Sequence, residues 1–135
     1  LESWLPLLYF GLPRLYGGWL HAMLATTQHP GLAQNVWDHR LNSRTVYMNP
    51  VFRFLYLNMN YHIEHHFFPM VPYHALPALH EEIRAHVPEP FPTTWSAYKA
   101  FIPALIRQRR DPEMWLRPDL PPAPEPAADE PAPAT

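Results

Sequence analysis

Residues 58–69 read NMNYHIEHHFFP, with three histidines in five positions: His62, His65 and His66. The chain has nine histidines in 135 residues and no cysteine. Disulfides, zinc knuckles and thiol chemistry are therefore excluded, and any metal site must use nitrogen and oxygen ligands. Upstream, Asn49-Pro50 is a helix start: Asn caps, and Pro sits in the first turn, where its missing N–H costs nothing. Pro69 is the stop. These signals predict one helix over 50–68. At about 100° per residue, His65 lies about 60° to one side of His62 and His66 about 40° to the other. All three imidazoles then share one helix face. Asn58 falls on the same face one turn earlier and is a candidate for supporting the ligands. Glu64 points to the far side, with Asn60 and Arg53. It is expected to pair with a base behind the helix rather than to bind metal.

Three imidazoles on one face are poor core material. Each carries a donor and an acceptor that burial must satisfy, and protonated rings repel one another. A transition metal removes both problems, and imidazole suits Fe, Zn, Cu and Ni. His65 and His66 diverge by about 100°, which favours two ions with further ligands imported from other segments. His29, at the end of an apolar run, is either such a ligand or a capping residue. His39, in DHRLNSR, either supports a ligand from behind or belongs to a loop ion cluster with Asp38 and Arg40. His21 reads as a satisfied core residue. His74, His80 and His86 step by six residues, which scatters them around a helix and predicts solvated surface.

Working outward, residues 4–28 are mostly apolar and long enough for a bilayer span of about 20 residues. Pro6, Pro13, Arg14 and Gly17-Gly18 interrupt them. The pattern predicts a helix end, a break near 11–14 and a second helix over 15–27, either embedded in a membrane or forming a buried hairpin. The opening at Leu1, inside this run, reads as the C-terminal part of something longer, and no signal-peptide pattern is present. Residues 29–49 are polar and mixed, a water-facing connection with RTVYM as a short extended piece. Residues 74–86, with Pro77 in the first turn, and 94–109, capped by Thr93 or Thr94 and bent at Pro103, predict two more helices. Residues 118–135 hold seven prolines, four acids and no base, and are expected to be disordered. The rest carries all ten Lys and Arg against eight acids, too slight an excess to argue for nucleic acid. The Arg107–Arg110 run reads as a solvated face or, beside a membrane, a cytoplasmic marker.

HIEHHFFPMVPYHALPALHEEI resembles the last histidine box of the membrane fatty acid desaturases, roughly HxEHHxFPxxPxxxLPxLH. QHPGL, residues 28–32, is similar to the His-containing turn preceding that box in membrane desaturases and alkane hydroxylases. DHRLNSRTVYMNPVFRFLYLNMNYHIEHH is similar to bacterial desaturase-like hydrocarbon oxygenases. The resemblance covers about residues 1–117. It implies an all-α integral membrane protein, with residues 1–28 in the membrane and residues 50–117 forming cytoplasmic helices. It also implies two non-haem iron ions at the cytoplasmic face, with His62, His65, His66 and His29 as ligands. The substrates implied are a fatty acyl or hydrocarbon chain and O2, with desaturation or hydroxylation as the outcome. Electrons would come from a separate ferredoxin, Rieske protein, rubredoxin or cytochrome b5, because this chain has neither cysteines for an iron–sulfur cluster nor a Gly-rich dinucleotide loop. The family's earlier histidine boxes are absent here, so this stretch alone is expected to be inactive.

Two other readings compete. A zinc hydrolase built on HxxHH needs Glu64 as a base on the ligand face. A non-catalytic membrane-associated module needs the histidines only as structure.

Overall fold

The computed structural model describes residues 3–122, so the disorder expected of residues 123–135 falls outside the described residues. Residues 118–122 form neither helix nor strand. The described chain is helical; its one β feature is an isolated parallel bridge between Val46 and Phe91. The all-α reading therefore holds, and RTVYM is extended as expected.

The apolar N-terminal run is a π-helical turn, Leu7–Gly11, followed by α1, Leu12–Tyr16, and α2, Gly18–Ala25. Pro13 has no N–H to give, and the coil ahead of it widens: Leu12 N–H reaches back to the Leu7 carbonyl. The interruption between α-helices thus falls at Gly17, not at 11–14. Gly17 N–H still bonds the Pro13 carbonyl at 2.9 Å and His21 N–H the Gly17 carbonyl at 3.2 Å, so the helical path continues through it. No helix of the described residues is long and apolar enough to cross a membrane. Trp4, Phe10, Leu15 and Trp19 are nonetheless 60% or more exposed. His21 is exposed rather than buried, its ring edge-on to Tyr56 with centroids 5.8 Å apart.

Three further helices carry their predicted start signals. In α4, Pro50–Leu55, Asn49 Oδ1 accepts from Phe52 N–H, with Pro50 in the first turn. In α6, Leu76–Ile83, Pro77 occupies the first turn, and a 3₁₀ turn, Arg84–His86, follows. In α7, Thr94–Gln108, Thr93 and Ser96 form a capping box, and Pro103 lies inside the helix.

The predicted continuous helix over 50–68 is corrected. It breaks after Leu55 and restarts as α5, His62–Phe67. Leu57 and Asn58 between them sit at φ 51° and 52°, in the left-handed region. Asn tolerates that region; Leu rarely does. Asn60 explains why the chain accepts it. Its side chain is fully buried and donates to the Val46 carbonyl at 2.9 Å, while Val46 N–H returns to the Asn60 carbonyl at 3.0 Å. Tying 56–61 to the extended segment 43–47 outweighs continuing the helix.

The core lies between these pieces: Leu24, Val46, Ile63, Leu76, Ala97 and Phe101 are each under 5% exposed. Tyr98 on α7 donates to the Met23 carbonyl and so ties α7 to the end of α2. Gly31, at φ 80°, turns the chain beneath α7. A Cβ there would meet the Ala104 Cβ at 3.2 Å.

Candidate metal centre

Three imidazoles from two distant segments converge. His62 Nε2 lies 2.8 Å from His29 Nε2 and 3.1 Å from His66 Nε2. One nitrogen from each of the three rings falls within 4.8 Å of the others. The rings meet edge to face, with centroids 4.5–5.3 Å apart.

His29 is held from several sides. Its Nδ1 donates to the Asn42 carbonyl at 2.7 Å, leaving Nε2 of the neutral ring as a bare lone pair. Gln28, its buried neighbour, donates to the Met59 carbonyl at 2.6 Å, and Arg44 Nη2 donates to the Pro30 carbonyl at 2.6 Å. Asn42 closes α3, His39–Asn42, which Asp38 caps through Arg40 N–H. His29 thus bonds the last carbonyl of α3 through one ring nitrogen and faces the cluster with the other.

His62 and His66 come from α5 at the spacing that helix phase predicted. His65 does not join the triad. Its ring centroid lies 5.9 Å from that of His62, and its Nδ1, like His62 Nδ1, is buried with no hydrogen-bond partner among the described residues. His39 lies in neither described ion pair, and its Nδ1 meets Asn42 Oδ1 at 3.3 Å rather than a clustered ring. Its ring stacks on His66 at 4.7 Å and 20°, while the neighbouring Asp38 and Arg40 pair at 2.8 Å. Nothing in the spacing of His39 foretold the stack, which needs α3 folded over α5.

Asn58 does not share a helix with the histidines, so the phase that linked them does not hold. It sits in the left-handed turn before α5, accepting from Arg53 Nε at 3.3 Å and donating to the Tyr73 carbonyl at 3.1 Å. The helix phase that preferred Asn58 over Asn60 assumed a coil that is broken between them. Asn60→Ala should therefore cost about 1–2 kcal/mol of stability, through a lost buried hydrogen bond. Asn58→Ala, at a part-exposed site, should cost less. Denaturant melts of the two variants check the order, and a larger loss for Asn58→Ala would contradict this account of the turn.

Behind α5, Glu64 is fully buried, as its helical angle suggested. It accepts from His80 Nδ1 at 2.5 Å and from the Thr45 hydroxyl at 2.5 Å. The Tyr47 hydroxyl meets His80 Nε2 at 2.9 Å. His80 is thus core, 1% exposed, and the surface expectation for it is corrected. Its partner lies 16 residues away, so periodicity on its own helix could not show the burial. His74 and His86 are exposed as expected.

The triad is electrostatically primed. Burial first, then the neighbouring imidazoles, pull His62 down from 6.5 to about 3 and His66 to about 4. Both rings stay neutral at ordinary pH, the form that binds metal. The sign for metal-free protein follows. The unfolded chain takes up protons near pH 6.5, whereas the folded one resists until about 4 for His66 and about 3 for His62. Stability should therefore fall as pH drops from about 6.5 toward 3. Melting temperature across that range, with chelator present, measures it; a value that rises on acidification would refute the assignment of neutral rings.

Nitrogens 2.8 and 3.1 Å apart suit adjacent positions on one ion, since two bonds of about 2.0–2.1 Å at a right angle span about 2.9 Å. Hydrogen bonding alone satisfies the cluster poorly. Two rings face His62 Nε2, which offers one lone pair or one proton.

A family model described as "Fatty acid desaturase" matches residues 1–98. No curated protein and no solved structure gives a significant match. The match takes in the QHPGL turn, α5 and α6, the segments that bring His29, His62, His66, Glu64 and His80 together. The chain belongs to the fatty acid desaturase family.

Proposed function

We propose that this chain forms part of a non-haem diiron oxidoreductase that uses O2 to desaturate or hydroxylate a fatty acyl or hydrocarbon chain. The observation that carries the reading is the convergence of His29, His62 and His66 on one point. Iron bound by these imidazoles would supply the oxidising power needed at an unactivated C–H bond, with electrons from a separate donor. The chain's own residues bind and orient. His29, His62 and His66 would hold one ion, and His65, outside the triad, would be free to serve a second. The Asn42 carbonyl keeps His29 in the tautomer that binds, and the stacked His39 limits rotation of His66.

The unpartnered Nδ1 atoms of His62 and His65 support outer hydrogen bonds from groups outside the described residues, and the family match supports further histidine boxes finishing the centre. The exposed aromatic and aliphatic side chains of residues 4–19 support contact with lipid. We place the metal site at the cytoplasmic side of that membrane. A ferredoxin, Rieske protein, rubredoxin or cytochrome b5 would supply electrons, because the chain has no cysteine to hold a cluster of its own.

The zinc hydrolase reading needs Glu64 as a base on the ligand face. Instead its carboxylate is fully buried behind α5 and bonded to His80 and Thr45. Elemental analysis of the intact enzyme separates the two. Two irons per polypeptide are expected; a single zinc with no iron would overturn the diiron reading.

A further inference from the structure

Away from the histidines, the structure has a cavity of about 320 Å³ whose lining includes no imidazole. Leu32, Ile63, Phe91 and Leu116 give it apolar walls. Arg44, only 5% exposed, also lines it.

The guanidinium there is short of partners. Nη2 donates to the Pro30 carbonyl, but Nε and Nη1 are buried and bond nothing among the described residues. The described ion pairs do not include Arg44. Its group centre sits 5.6 Å from the Phe91 ring and 5.8 Å from Phe101, contacts that favour a cation without using its N–H groups. Burial alone pulls it down to about 10, with no carboxylate offsetting the cost. A guanidinium nevertheless keeps its charge at neutral pH, so the protein holds an uncompensated buried cation beside an apolar void. Glu89 and Asp119 also line the cavity, but both are exposed, and the exposed Arg117 balances one of them.

We propose that this cavity binds a small amphipathic carboxylate, its head accepting from the Arg44 guanidinium and its apolar body against Leu32, Ile63, Phe91 and Leu116. The charge calls for an anion and the walls call for a hydrocarbon. The volume is about ten waters' share of liquid, which suits a body of about six carbons. Ile63 lies between His62 and Glu64, so the site backs onto the helix that carries the metal ligands, yet it stands independently of the metal reading.

Calorimetric titration of the purified full chain tests this, using hexanoate, hexan-1-ol of the same chain length, and inorganic phosphate. Hexanoate is expected to bind at least about tenfold more tightly than either control, the discrimination that hydrogen bonds to a charged group provide. Arg44→Met should erase that preference. Arg44→Lys, which keeps a point charge but loses the planar fork, should retain part of it. Equal binding of hexanoate and hexan-1-ol by the unaltered protein would show an apolar void only. That comparison, an absence of binding by either, or full hexanoate affinity in Arg44→Met would each overturn the proposal. The ligand comparison in the unaltered chain decides even if Arg44→Met does not fold.

Discussion

His62→Ala in the intact enzyme is expected to abolish both iron retention and turnover, while His86→Ala leaves both near normal. His62 is the shared vertex of the triad: the other two Nε2 atoms approach it at 2.8 and 3.1 Å. Its removal leaves one imidazole on the 28–32 turn and one on α5, with nothing between them. Loss of a supporting partner typically costs 10–100-fold in metal affinity, so loss of a central ligand should cost more. The fold should survive. His62 is a poorly solvated ring among four others, and Ala relieves that burial rather than adding to it. Metal-free His62→Ala should therefore melt no lower than the metal-free parent, which separates a ligand from a packing residue. His65→Ala, outside the triad, is expected to lose roughly one of two irons. Normal iron content and product from His62→Ala would end the assignment.

Part of this arrangement could be read from the residues. The caps at Asn49 and Thr93, the prolines that open α4 and α6, and the spacing that puts His62 and His66 together are local signals. Local geometry enforces them whatever the rest of the chain does. The opposite direction of Glu64 followed from the same helix phase, which needs only the six residues of α5. Phase failed where it was carried across the 56–61 turn. No Pro or Gly marks that turn, and what holds it open is Asn60 bonded to Val46, 14 residues earlier. The same limit hid His80, buried by a carboxylate on another helix, and His39, stacked on a ring that α3 reaches only in the folded chain. QHPGL named a turn but not what faced it. His29 is a ligand candidate from the sequence already, but its bracing by Gln28, Arg44 and Asn42 exists only in the folded chain.

The largest stability effect should come from behind the metal helix. Glu64→Ala removes a fully buried carboxylate and strands two donors, His80 Nδ1 and the Thr45 hydroxyl. Breaking one side of such a pair typically costs about 3–5 kcal/mol, a large share of the 5–15 kcal/mol that holds a typical domain. Glu64→Gln should cost only about 1–2 kcal/mol. The amide can still accept from Thr45 and can donate to His80 Nδ1 once the imidazole takes its other tautomer, with Tyr47 accepting at Nε2. Replacing the network as a set, Thr45→Val with Glu64→Leu and His80→Leu, should recover most of the loss, because it strands no member of that network but the part-exposed Tyr47 hydroxyl, which water can reach. Iron affinity should follow a different order. α5 is fastened to the 43–47 segment and to α6 through Glu64, so Glu64→Ala lets the ligand rings drift and should weaken binding about 10–100-fold. The apolar triple variant keeps the packing but not the directional bonds, and should recover stability more fully than affinity. Denaturant melts and iron titrations on the four proteins give both orders. If Glu64→Ala lost under about 1 kcal/mol, or if the triple variant lost as much as the single one, the buried carboxylate would not be what fastens the ligand helix.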